Sequence, residues 1–125
     1  LSPAAWATRA IALYRRLEAD AIIAEVNMGG EMVRAVLHET DAAIPVREVR
    51  ASRAKFVRAE PVAALYEQGR VKHVGCFPLL EDEMCDFAPT GLSSGHSPDR
   101  VDALVWAITA LIGGANAGGP RMRVL

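Results

Sequence analysis

Apolar and polar positions follow two periods along this chain, and the switches between them mark its elements. Trp6, Ala10, Leu13, Tyr14 and Leu17 recur at helical spacing behind Ser2 and Pro3. A favoured N-cap followed by a residue suited to the first turn predicts a helix from there to about Ala19. Ala21-Ile22-Ile23-Ala24-Glu25-Val26 is a short apolar run of the kind that forms a strand in a parallel or mixed sheet. Asn27-Met28-Gly29-Gly30 then reads as a turn, and Glu31 to Thr40 as a helix with Met32, Val33, Val36 and Leu37 inward. Ile44 to Val49 is the next strand, with Pro45 confined to its start. Because a helix connects the two strands, they are expected to pair in parallel.

The second half changes character. Ser52 is positioned to cap a helix running to about Gln68, which Pro61 either kinks or restarts and Gly69 closes. Val71-Lys72-His73-Val74-Gly75 alternates like a short strand, and Pro78 to Phe87 reads as a short acidic helix. Ala88 to Ser97 is a Gly/Ser/Pro loop. It opens into a helix in which Ser97 serves as N-cap, Pro98 stands in the first turn, and Val101, Leu104, Val105, Ile108 and Leu111 supply an apolar stripe. The elements together predict an α/β fold.

With 125 residues the chain is expected to be one domain, and with 51% hydrophobic residues it can bury a core. Residues 1–113 hold the elements; the glycine-rich stretch that follows makes 114–125 a flexible tail. The net charge of -1 announces no nucleic-acid binder, yet Arg47, Arg50, Arg53, Lys55 and Arg58 crowd the middle, while Glu81, Asp82, Glu83 and Asp86 follow later. A local basic strip can bind phosphate without a basic whole, although such strips also serve simply as solvated faces. Cys76 and Cys85 match neither a zinc knuckle nor a redox pair. No apolar run is long enough to span a membrane and no signal peptide opens the chain, so a cytoplasmic setting is expected.

Two places carry candidate chemistry. Glu25 interrupts an apolar strand, where a carboxylate must be salt-bridged, exposed on an edge or bound to a cation. Asp99 and Asp102, three apart, are expected to share one face of the last helix, held on a rigid element. The plain alternative is that Asp99 only complements the helix dipole and that Asp102 is solvated. His96, three residues before Asp99, is the histidine best placed for a metal-adjacent or proton-shuttling role; His38 in a helix and His73 in a strand read as structural. The glycine turn after Val26 has the spacing of neither a P-loop nor a dinucleotide fingerprint, which argues against nucleotide binding.

Four stretches in order resemble the nuclease domain of the large terminase subunit of tailed phages and gene transfer agents. They are Ala24-Glu25-Val26-Asn27-Met28-Gly29-Gly30, Arg50-Ala51-Ser52-Arg53-Ala54-Lys55 with Arg58-Ala59-Glu60-Pro61, Tyr66-Glu67-Gln68-Gly69-Arg70-Val71, and Ser97-Pro98-Asp99-Arg100-Val101-Asp102-Ala103-Leu104. The resemblance implies a ribonuclease H-like fold, a mixed sheet flanked by helices, and a metal-dependent endonuclease that cuts concatemeric viral DNA during packaging in a bacterial or phage-infected host cell. It implies Glu25 and Asp99 as ligands of Mg²⁺ or Mn²⁺, with Asp102 and His96 as auxiliary ligands. It also implies double-stranded DNA, the portal or prohead and the small terminase subunit as partners.

Hard oxygen ligands suit those cations, and two ions about 3.5–4 Å apart can activate water and steady a leaving oxygen. Arg50, Arg53, Lys55 and Arg58 are the expected contacts to DNA phosphates. The family's first metal-binding aspartate lies on a strand before the helix that begins here at Ser2, and no Walker A motif occurs in the sequence. The chain is therefore expected to be a carboxy-terminal part of the nuclease domain. Its opening strands and packaging ATPase would be missing, leaving it incomplete on its own for two-metal catalysis and open to self-association through an exposed sheet edge. The competing functional reading is a non-catalytic docking module or remnant that binds DNA or partner subunits. Another ribonuclease H-like nuclease, such as a junction resolvase, stands third.

Overall fold

The computed structural model describes residues 2–26 and 31–116. The turn expected at 27–30 and the tail from 117 onward lie outside these described residues. Contacts divide the chain into two compact units, one built from the residues before Ser52 and the other from Ser52–Gly113, where length alone suggested a single domain.

The first unit is a βαβ arrangement with a helix in front. Helix α1, Pro3–Arg16, starts as its sequence dictates: the Ser2 hydroxyl accepts the Ala5 N–H at 3.2 Å, and Pro3 occupies the first turn. It ends at Arg16, three residues earlier than expected, with Leu17 as C-cap and Glu18 taking a positive φ of 51°. The Glu18 and Ala19 N–H groups close back on the carbonyls of Arg15 and Tyr14, the paired bonds of a Schellman motif. Strand β1, Ile22–Glu25, helix α2, Glu31–Thr40, and strand β2, Val46–Val49, follow. The strands pair in parallel, Ile22 opposite Val46 and Glu25 opposite Val49, as the intervening helix requires.

Ala7 and Ile11 of α1, Leu37 of α2 and Ile44 form the core of this unit, with Trp6, Ala10, Tyr14, Val33 and Val36 packed around it. The inward face of α1 is thus rotated from the expected one, leaving Leu13 half exposed, and Met32 of α2 faces solvent. Polar side chains tie the layers. Arg34 donates to the Val46 carbonyl at 3.0 Å and pairs with Glu48 at 3.1 Å. His38 lies 3.1 Å from the Ile44 carbonyl, Arg15 pairs with Asp41, and Asp41 accepts the Ala43 N–H, which holds its carboxyl below the usual aspartate range. Among the described residues the sheet has these two strands, an α/β arrangement; the mixed sheet expected from the sequence is not seen there.

The second unit is helical: α3, Lys55–Glu67, α4, Pro78–Asp86, and α5, Asp99–Asn116. Helix α3 begins behind Ala54, which has no side-chain cap, so Ser52 does not cap it, and it continues through Pro61. Its end is the expected glycine: Gly69, at φ +69°, donates to the Tyr66 carbonyl while Arg70 donates to Leu65. Val62, Val101, Val105 and Ile108 form the core, with Leu65, Tyr66, Met84, Phe87 and Leu104 against it. Helix α5 runs to Asn116, past residue 114 where the sequence suggested a tail.

One expected strand is absent. Residues 71–75 take no regular structure. Tyr66 and Glu81 hold His73 from either side, Gly75 turns the backbone with a φ of +103°, and a lone segment without a neighbouring strand gains nothing from extended pairing.

Candidate metal and nucleic-acid site

The start of α5 is assembled from three directions. Its first turn presents N–H groups with no partner inside the helix. The Val101 N–H donates to Glu83 Oε1 at 2.9 Å, reaching from α4, and the Asp102 N–H donates to the Pro98 carbonyl at 2.9 Å. Ser97 does not cap. Its hydroxyl donates to Asp99 Oδ1 at 2.6 Å and accepts from Lys55 Nζ at 3.0 Å, so Lys55, Ser97 and Asp99 form one directed chain.

Asp99 and Asp102 do not share a face in the expected sense. Residues three apart sit about 60° apart around a helix, and the boundary between solvent and protein falls between these two. The Asp99 side chain is 81% exposed; that of Asp102 is 7% exposed. Burying a carboxylate demands counter-charge, and α3 supplies it. Arg58 Nη1 lies 2.9 Å from Asp102 Oδ1, and Lys55 Nζ lies 3.5 Å from Asp102 Oδ2 and 3.9 Å from Asp99 Oδ1. The Arg58 pair is a charge contact rather than an aligned hydrogen bond. Other partners hold the guanidinium: its Nε donates to the Arg53 carbonyl at 3.1 Å, and its carbon sits 4.7 Å above the Trp106 ring.

His96 is exposed and lines, with Asp99, Asp82, Glu83 and Asp86, a cleft of ≈ 770 Å³ on this unit. Arg53 is exposed beside α3. In the first unit Glu25 is the last residue of β1 and exposed, and Arg50 follows β2, also exposed. The sequence-derived candidates therefore fall into two sets. Asp99, Asp102, Lys55 and Arg58 are brought into contact, His96 and Arg53 stand nearby in sequence on the same unit, and Glu25 and Arg50 belong to the other unit.

For a hard divalent cation the donor set is uneven. Asp99 suits one, because it is solvent-facing and its hydrogen bond and ion pair both fall on Oδ1. Asp102 as placed does not, because each of its oxygens faces a cation. Among the described residues no group of three or more His, Cys, Asp or Glu side chains gathers in a geometry that could hold a metal.

Sequence reasoning missed four participants. Ser97 was read as a cap, Glu83 as part of a charge run, and Trp106 was not singled out. The Glu83 contact has no signal in local spacing, since it meets Val101 across 18 positions. The fourth is His73, whose Nε2 lies 2.7 Å from the Tyr66 hydroxyl and whose Nδ1 lies 2.9 Å from Glu81. With the proton on Nδ1 donating to the carboxylate, Nε2 accepts from the tyrosine. The His73 bond, then the Phe77 N–H, hold the Glu81 carboxyl below its usual range; burial and the Glu81 charge push the Tyr66 hydroxyl up. The same charge raises the Cys76 thiol.

A parallel βαβ unit and a helical unit that offers a solvent-facing carboxylate at a helix start define an α/β protein. A family model described as a terminase RNaseH-like domain matches residues 1–111, and the chain belongs to that family. No curated protein and no solved structure gives a match. Membership points to a nuclease or packaging role within a terminase. No described helix is long and apolar enough to cross a membrane.

Proposed function

We propose that this chain contributes to a metal-dependent DNA endonuclease of a viral packaging terminase, one that cleaves concatemeric double-stranded DNA, with Glu25 and Asp99 as metal-binding carboxylates. The observation that carries the reading is Asp99: an acidic residue within the span the family model covers, at a helix start, held on one oxygen and exposed to solvent. Glu25 supports it by position, since ligands of open α/β sheets gather outside the carboxyl ends of strands, and Glu25 closes β1. Bound Mg²⁺ or Mn²⁺ would lower the pKa of a water and stabilise charge on the scissile phosphate. The protein's own part is to fix Asp99 through Ser97, and to offer phosphate contacts from the basic segment. Within that segment Arg50 and Arg53 are exposed, whereas Lys55 and Arg58 also answer to the α5 carboxylates.

The test is nicking and linearisation of plasmid DNA in Mn²⁺ by a terminase protein containing this chain. Asp99→Ala and Glu25→Ala are each expected to lower the cleavage rate by at least about a hundredfold. Full cleavage by both variants refutes the assignment. The uneven donor set favours a second reading, a non-catalytic module that docks DNA or packaging partners. It predicts DNA binding without stoichiometric Mn²⁺ uptake.

A further inference from the structure

Helix α1 carries its cations away from the core of its unit. Its 14 residues include Arg9, Arg15 and Arg16 and no acid, which enters the sequence only at Glu18, after the helix has ended. Arg15 is matched by Asp41, whereas Arg9 and Arg16 are exposed and take part in no ion pair or hydrogen bond among the described residues. Seven residues apart, these two stand about 20° from one another around the helix and about 10.5 Å apart along it. Between them Ala10, Ala12 and the half-exposed Leu13 floor a groove of ≈ 520 Å³ that the two arginines flank. The helix dipole accounts for a cation in the last turn, where Arg16 stands, but not for Arg9 in the middle.

A guanidinium fork matches the paired oxygens of a phosphate or carboxylate, so the groove suits an anionic chain. Two features favour a nucleic-acid backbone over an acidic polypeptide. The rise between the arginines matches three phosphate steps, since one strand of DNA carries a charge every ~3.4 Å of axis, or about 10.2 Å in all. A protein partner, in contrast, is held chiefly by large apolar anchors in desolvated pockets, and Leu13 is the one large apolar side chain among the described residues of this groove. We propose that the outer face of α1 is a DNA-contacting surface on which Arg9 and Arg16 each hold a phosphate of the same strand, three steps apart. The inference rests on the DNA-binding part of the proposed function and extends it to a surface of the first unit, separate in sequence from Arg50, Arg53, Lys55 and Arg58.

The test is binding of a short labelled DNA duplex to the full chain, followed by fluorescence anisotropy over a range of salt concentrations and without divalent metal. Arg9→Gln combined with Arg16→Gln is expected to reduce the slope of log affinity against log salt by about 1.8, and each single change by about 0.9. The weakening should be the same for duplexes of different sequence, because phosphates carry no sequence information. Lysine at both positions keeps the charge and should keep the slope. Arg70→Gln combined with Lys72→Gln removes as much charge from exposed positions of the other unit and should leave the slope unchanged. Glutamine is a good helix former, and circular dichroism checks that α1 persists in each variant. An unchanged slope in the Arg9/Arg16 double variant overturns the proposal and leaves an acidic polypeptide as the partner chemistry. An equal fall in the Arg70/Lys72 variant, or no DNA binding by the unaltered chain, overturns it as well. Failure of the nuclease reading has a different signature: the predicted slopes hold, while Asp99→Ala and Glu25→Ala cleave at the full rate.

Discussion

Asp99 and Asp102 show how much one helical step can change the chemistry of a side chain. Both are aspartates near the start of α5, yet one is open to solvent and the other is enclosed and matched to two cations. The sequence reading saw the pair and its rigid support; it could not place the solvent boundary, because Lys55 and Arg58 come from a helix some forty residues earlier. His73 illustrates the same limit. Its partners Tyr66 and Glu81 lie on either side in sequence, but only the folded chain brings a phenol and a carboxylate to the two ring nitrogens. Because Glu81 titrates below its unfolded value of about 4.3, its stabilising effect is present above that pH and is lost as pH falls through the folded value. Glu81→Gln should therefore lower the urea midpoint at neutral pH, and the difference from the unaltered chain should narrow steadily as pH falls below the unfolded value. A deficit independent of pH would show that shape, not charge, is what Glu81 contributes.

At the scale of elements, local chemistry was a good guide wherever an end is defined by residues next to it. Ser2 and Pro3 start α1, Gly69 stops α3, Pro78 opens α4, and the parallel pairing of β1 with β2 follows from the helix between them. Guidance failed where the deciding contact is remote. Residues 71–75 alternate like a strand but have no strand to join, and Ser97 looks like a cap yet gives its hydroxyl to Asp99 while Glu83 satisfies Val101. The consequence for stability centres on the junction of α3 and α5. Removing one member of a buried ion pair leaves the other uncompensated, so Arg58→Met and Asp102→Asn should each destabilise by about 3–5 kcal/mol. The double variant should cost well under the sum, a coupling of at least about 1 kcal/mol in a double-mutant cycle of denaturant unfolding. Strict additivity would mean that the 2.9 Å contact carries no energy.

The molecule as a whole has a net charge of -1, so any affinity for DNA has to come from local placement. Of the four basic residues in the expected strip, Arg53 is exposed beside its helix, and Arg58 is mostly enclosed with its charge answering Asp102. Arg53→Ala should thus reduce the slope of log affinity against log salt by about one phosphate contact. Arg58→Ala should act first on folding. An unchanged slope in Arg53→Ala would remove that residue from the interface. The account turns finally on whether Glu25 and Asp99 are carboxylates that bind a divalent cation. Substoichiometric Mn²⁺ titrated into the isotopically labelled chain reports this directly through paramagnetic broadening of amide signals. The signals around Asp99 and around Glu25 should each fade as Mn²⁺ is added, and Asp99→Asn should abolish the effect around residue 99. Signals at both carboxylates that stay sharp, or broadening around residue 99 that survives Asp99→Asn, would contradict it.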